Sequence, residues 1–316
     1  MTISLLLDPK LQPASTQLKP VVLKDQVSCF TLSIGIGYLQ GYVKRMKALR
    51  IKLDQFYDHV LDGHMRIKKE LAKDFVAQDM VDILLQLADD PDPDIKLTYD
   101  CVRAFTQDLI AGGTDTSATT VEWAISELIK QPRLIKQATE ELDRVIGRER
   151  WVKEKDIPQL PYIDAIMKET MRKHPVAALI APHLATEDCN VAGYDIRKGT
   201  RVFINTWSMG RDSLLWEKPE EFHPERFLGR KTDIKGQNFE LLPFGSGRRM
   251  CPGYTLGLKM IQTSLANLLH GFNWGLHDNT KLEDLNMDEV YGLATTRKFP
   301  LIAVMEPRLL LHLYKI

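Results

Sequence analysis

The sequence predicts a mainly α protein with a small β portion. Apolar residues recur at spacings of three and four over most of the 316 residues, alternate at two only in short stretches, and are parted by loops bearing proline and glycine. At 44% hydrophobic and 27% charged, the composition excludes a disordered or fibrous chain. The length is enough to bury a sizeable core in one large domain or two ordinary ones.

Residues 1–38 stand apart as a divergent, unassigned segment. Within them Phe30, Leu32, Ile34, Ile36 and Tyr38 alternate with small or polar residues, the period of a half-buried strand. From 39 to 87, Val43, Met46, Leu49, Leu53, Phe56 and Val60 fall at helical spacing between lysines and arginines, which predicts amphipathic helices. Asp89-Asp-Pro-Asp-Pro-Asp94 then reads as an acidic loop. Residues 98–131 keep a helical period up to Pro132, one helix about 50 Å long at 1.5 Å per residue. Its interior holds Gly112-Gly113, each costing ~1 kcal/mol relative to alanine, so the pair is either a defect or a place where something approaches the backbone. Further helices are expected at 133–147 and 162–173. Two short strands, 189–195 and 200–205, flank Arg197-Lys-Gly199 like a hairpin, and a last helix covers 253–270.

Lys+Arg and Asp+Glu both number 42, so no net field draws the molecule to nucleic acid. The four cysteines, Cys29, Cys101, Cys189 and Cys251, contain no C-x-x-C pair and make neither a disulfide framework nor a zinc site. The first three are expected to be buried thiols. The longest uncharged run, from Gln26 to Val43, is interrupted by Ser, Thr, Gln and Gly, and is not expected to span a membrane. The opening apolar stretch, Ile3 to Leu7, is too short for a signal peptide.

The sharpest local signal is Pro243-Phe-Gly-Ser-Gly-Arg-Arg-Met-Cys-Pro-Gly253. Gly245 and Gly247 permit tight turns, Cys251 sits where a helix N-cap would, and Pro252 suits the first helical position. A helix N-terminus with Arg248 and Arg249 beside it favours the thiolate of a cysteine whose ordinary pKa is about 8.5. One thiolate without a second cysteine or histidine cannot build a zinc site, yet it can supply an axial ligand to a haem iron. The alternative is a buried cysteine in a glycine-rich turn.

This stretch resembles the haem-binding signature F-x-x-G-x-R-x-C-x-G of the cytochrome P450 family, matched by Phe244, Gly247, Arg249, Cys251 and Gly253. Cysteine-thiolate ligation of haem in that family is a general property of the class. The resemblance implies Cys251 as metal ligand, Arg249 for a haem propionate, Phe244 to shield the sulfur, and His183 as a further propionate contact. Ala111-Gly-Gly-Thr-Asp-Thr-Ser117 resembles the family's oxygen-activation motif, with Asp115 and Thr116 as catalytic proton donors. Lys168-Glu-Thr-Met-Arg172 contains E-x-x-R, and Pro224-Glu-Arg-Phe227 follows in the family's order. On a wheel of ~100° per residue Glu169 lies about 20° from Tyr162, beside the apolar stripe, where a carboxylate needs a charged partner. The resemblance implies a structural triad of Glu169, Arg172 and Arg226.

The implied fold is the C-terminal part of the cytochrome P450 fold over 39–316, and the pattern is similar to plant microsomal A-type members. The implied activity is hydroxylation of a small hydrophobic metabolite, such as a flavonoid or terpenoid, with O2 and electrons from NADPH through a cytochrome P450 reductase. Substrate would meet 105–111, 176–180 and 292–295, including Phe105, Ile110, Ala111, Val176, Ala177, Leu179 and Leu293. Family members sit on the cytosolic face of the endoplasmic reticulum membrane; this chain is expected to lack their anchor and to be N-terminally truncated, with apolar surface near Phe105, Leu109 and Ile110 left open. Lys173, Ala178, His183 and Arg197 depart from the residues usual at those points. Two alternatives remain: a non-enzymatic remnant with weak or no haem binding, and a reductase-independent haem-thiolate isomerase. His174 is expected to fix the end of its helix.

Overall fold

The computed structural model describes residues 2–5, 41–90, 97–230, 232–277 and 280–315. The strand expected at 30–38, the boundary at 38 and Cys29 lie outside them, as does most of the acidic loop. The chain divides into two compact units, Leu23–Gly112 and the combination of Met1–Val22 with Gly113–Ile316.

In the first unit, helix α1 (Tyr42–Leu71) ends at Ala72, whose φ of 45° lies in the left-handed region. Helix α2 (Met80–Ala88) begins at Asp79, whose carboxylate accepts the Asp82 N–H at 3.0 Å and so satisfies one orphan donor of the first turn. Leu61 of α1, Leu84 and Leu85 of α2 and Val102 form the core, the last from the start of helix α3 (Tyr99–Lys130). The amphipathic stretch of the sequence is thus two helices. They turn back because Ala72–Asp74 forms a 3-10 turn between them.

The second unit is built on four helices, the rear of α3, α4 (Pro132–Ile146), α5 (Pro161–Lys173) and α7 (Tyr254–Gly271). Their shared core includes Leu128, Leu134, Leu142, Ile163, Ile166 and Leu265, each fully enclosed. Burial of such side chains contributes roughly 1.5–3 kcal/mol apiece. Both α4 and α5 start on proline, whose missing N–H costs nothing in a first turn. Glu141 of α4 accepts from the backbone N–H of Tyr162 at 2.9 Å and of Ile163 at 3.2 Å, capping α5 from a neighbouring helix. Burial, only partly offset by those two bonds, raises its carboxyl above the usual range.

The β portion is small. Strand β1 (Thr2–Leu5) runs parallel to β5 (Arg201–Ile204), which pairs on its other side with β2 (His183–Leu184) in the antiparallel sense. β6 (Phe272–Leu276) pairs with β9 (Ala303–Pro307), and β7 (Glu289–Val290) with β8 (Thr296–Arg297). The expected hairpin is corrected. β3 (Cys189–Val191) pairs with β4 (Tyr194–Ile196) across Ala192-Gly193, not with β5 across Arg197-Lys-Gly199. Ala192 and Gly193 have φ of 51° and 84°, the two positive values that a two-residue hairpin turn requires. Helix α6 (Thr206–Met209) is a single turn capped by Asn205, whose side chain accepts the Ser208 N–H at 2.9 Å.

Two further expectations are corrected. Cys101 and Cys189 are exposed, because Cys101 lies in the first turn of α3 and Cys189 on a two-stranded ribbon too small to cover it.

Candidate functional site

Cys251 stands three residues ahead of α7, and its N–H donates to Phe244 O at 2.9 Å, which closes the loop into a compact ring of backbone. Gly245 and Gly247 adopt φ of 74° and 70°, conformations that a side chain would strain. Gly236 crosses behind: a Cβ there would lie 2.9 Å from Gly245 O, and Ser246 Oγ donates to Gly236 O at 2.6 Å. The Phe244 ring packs over Gly257 of α7 and rests on the cluster of Met171, Trp216, Leu241 and Ile261. The loop is therefore rigid on its inner side. On its outer side the Cys251 thiol is exposed, with Gly253 beside it.

The exposed residues of this loop fit a haem. Among the described residues, only His64, Asp79 and Asp82 gather as three potential metal ligands, and they belong to the other unit, so Cys251 offers a single axial sulfur. Arg248 and Arg249 are exposed and have no ion-pair partner among the described residues, which leaves cations for an anionic cofactor. Asp115 and Thr116 are both exposed on α3. Among the described residues nothing lies within 4 Å of a Cβ placed on Gly113, and α3 runs unbroken through the pair.

Glu169 and Arg172 on α5 are fully buried and paired at 2.7 and 2.8 Å through both carboxylate oxygens. Arg226, on the 3-10 turn Pro224–Phe227, reaches Glu169 at 3.1 Å, and the His223 N–H adds a bond of 2.7 Å. Arg172 also donates to the carbonyls of Gly210, Pro219 (2.8 Å) and Glu221 (3.2 Å). One guanidinium thus ties α5 to the loop ahead of the cysteine. A carboxylate and a guanidinium in such a place hold only because every lone pair and donor is matched.

The remaining predicted residues are dispersed. His183 is half-buried in β2, opposite Val202. Val176 is joined to the segment after Leu293, since Thr295 N–H donates to Val176 O at 2.7 Å. Ala177 O accepts the Thr206 hydroxyl at 2.7 Å, and Leu179 bridges to Asn205. Leu293 is completely exposed. Phe105, Ile110 and Ala111 are exposed on the other unit's part of α3, the first two by 50% and 46%.

A cleft of about 1110 Å³ lies away from Cys251. It is lined by charged groups including Glu127, His174, Arg211, Glu289 and Lys298. A second cleft of about 670 Å³, lined by Gly113, Val121, Ile125, Met260, Trp274 and Met305 among others, is more apolar. The first cleft exposes a cluster that sequence reasoning missed. His174 does end α5, its N–H donating to Thr170 O at 2.7 Å, but its ring lies between Glu127 and Glu289. Lys173 is matched there too, 3.0 Å from Glu127. Burial would raise the Glu127 carboxyl, but the bond to His174 and the charge of Lys173 overcome it and hold it below the usual range. No local pattern announces this cluster, since its members lie 47 and 115 residues apart.

The family model described as cytochrome P450 matches residues 7–302. Trimethyltridecatetraene synthase of Zea mays is 50% identical over 294 residues, 87% of this chain and 53% of that protein. Flavonoid 3'-monooxygenase of Petunia hybrida is 41% identical over 311 residues, 94% of this chain and 60% of that protein. A zebra fish cytochrome P450 structure with abiraterone superposes with a TM-score of 0.65 at 28% identity, over 80% of this chain and 64% of the other. The chain spans about half the length of the curated relatives it matches.

Proposed function

The chain belongs to the cytochrome P450 family, and from that membership we propose that it works as a haem-thiolate monooxygenase on a small hydrophobic metabolite. The observation that carries the reading is the exposed Cys251 thiol on a tightly packed loop, with no second ligand beside it and no ion-pair partner for Arg248 or Arg249 among the described residues. Haem supplies the iron at which dioxygen is reduced. In the overall reaction R–H, O2, two electrons and two protons give R–OH and water, with the electrons coming from NADPH through a reductase. Cys251 Sγ would hold the iron from one side and Arg249 would bind a propionate. Phe244, packed against α7, would help shield the sulfur. Asp115 and Thr116, near the open glycine pair of α3, would pass the two protons from solvent, since both are exposed.

Residues 176–180 and 292–295, joined at Val176 and Thr295, would meet the substrate. The names of the relatives, a tetraene synthase and a flavonoid monooxygenase, support a terpenoid or flavonoid as its class. The family's setting supports the cytosolic face of the endoplasmic reticulum membrane. Among the described residues no helix is long and apolar enough to cross a membrane.

The test is the absorption spectrum of the reduced, CO-bound chain expressed with haem supply. A thiolate-type Soret band is expected, and Cys251→Ser should remove it. A band unchanged in that variant assigns the iron to another residue, and failure of the parent chain to take up haem refutes the reading.

A further inference from the structure

His174 stacks on Trp123 of α3, with ring centroids 4.0 Å apart and planes 2° from parallel. Its Nε2 lies 2.7 Å from Glu127 Oε1 and its Nδ1 3.1 Å from Glu289 Oε1, and the three side chains are only 4%, 6% and 10% exposed. The ring therefore bridges the two carboxylates, one through each nitrogen.

Neighbouring groups hold the same two carboxylates. Lys173 meets Glu127 at 3.0 Å, and Arg211 meets Glu289 at 3.4 Å. Trp207 Nε1 and Tyr291 Oη each donate to Glu289 Oε2 at 2.9 Å. Arg297, from β8, lies 5.4 Å from the Trp123 ring centroid.

Glu289 is where the chain enters the turn at 291–294, and Thr295 is where it leaves. The exit is tied to the same helix, since Trp123 Nε1 donates to Thr295 O at 3.2 Å. At the tip Leu293 is completely exposed. Among the described residues nothing covers Leu293, and the turn is held from its two ends.

We propose that His174 is a positioning residue: bridging Glu127 on α3 and Glu289 on β7, it sets where the turn presents Leu293 and thereby which apolar ligands the site accepts. The selectivity part rests on the substrate-facing reading of 292–295 given above; the positioning part does not.

Hydrogen exchange by mass spectrometry on the haem-free chain tests the positioning. His174→Phe should speed exchange of the amides at 290–296 at least tenfold and leave those of α4 unchanged. Glu289→Gln, which keeps shape and removes the charge, should act in the same place; if His174→Phe fails to fold, this variant decides alone. Unaltered exchange at 290–296 overturns the proposal. In haem-loaded chain, the ratio of the dissociation constants for 4-phenylimidazole and imidazole should change at least threefold in both His174→Phe and Leu293→Ala. An unchanged ratio overturns the selectivity role. A chain that takes up no haem refutes the proposed function and with it the selectivity part, while the exchange result still decides the positioning.

Discussion

Glu169 and Arg172, one turn apart on α5, are both completely enclosed, and Arg172 spends its other donors on the carbonyls of Gly210, Pro219 and Glu221. Glu169→Ala leaves the Arg172 charge buried without a carboxylate, and Arg172→Ala leaves Glu169 with Arg226 as its one cation among the described residues. Glu169→Ala and Arg172→Ala should each lower stability by about 3–5 kcal/mol, measured by urea unfolding of the haem-free chain. Arg172→Lys should recover little of this, because an ammonium cannot match a carboxylate and three carbonyls in the plane that the guanidinium fits.

Two glycines should respond oppositely to alanine. At Gly210 a Cβ would lie 2.1 Å from Arg172 O, and that backbone is held by the guanidinium's own bond back to Gly210 O, so Gly210→Ala should cost roughly 1–3 kcal/mol or more. At Gly113 the space is open and the site is helical, so Gly113→Ala should stabilise the haem-free chain by ~1 kcal/mol. If a flat cofactor lies against this part of α3, the same variant should retain haem less well. Thermal unfolding with and without haem checks both.

Glu289 gives a pH signature. Burial alone would raise its carboxyl, but bonds from His174, Tyr291 and Trp207 and the charge of Arg211 bring it from 4.5 down to about 2. A depressed carboxylate adds stability that is complete above the unfolded value and is lost as pH falls towards the folded one. The contribution, roughly 3 kcal/mol at 1.36 kcal/mol per unit, should therefore disappear between about pH 4.5 and 2. Urea unfolding across that range should show a shallower loss for Glu289→Gln than for the parent.

Thr116→Ala and Asp115→Asn should leave haem binding intact and uncouple oxygen use from product formation, because a positioned general acid contributes about 10²–10⁴-fold. The ratio of product formed to NADPH consumed, in a preparation that turns over, is the measurement. Equal ratios in variant and parent would remove both residues from the proton path.

Features set by neighbouring residues were legible in the sequence. The extents of α4, α5 and α7 follow from apolar spacing, with prolines at the starts of α4 and α5, and differ from expectation by no more than a residue at an end, because capping and not spacing places the last turn. The loop around Cys251 is equally local: two glycines with positive φ and a helix three residues on are visible within eleven letters. The hairpin at Ala192-Gly193 was misplaced because an alanine with positive φ is rare, and Arg197-Lys-Gly199 resembled the commoner turn.

The sequence by itself determined the helices, the cysteine loop and the likeness to a family, since each depends on residues within a few turns of one another. Tertiary structure alone decided that Lys173 has a partner, that Cys101 and Cys189 face solvent, and that a helix-ending histidine bridges two carboxylates. The physical reason is that a charge is tolerated or refused inside a protein according to what surrounds it in space. For His174 those surroundings are Glu127 and Glu289, brought from opposite directions along the chain by the packing of α3 and β7.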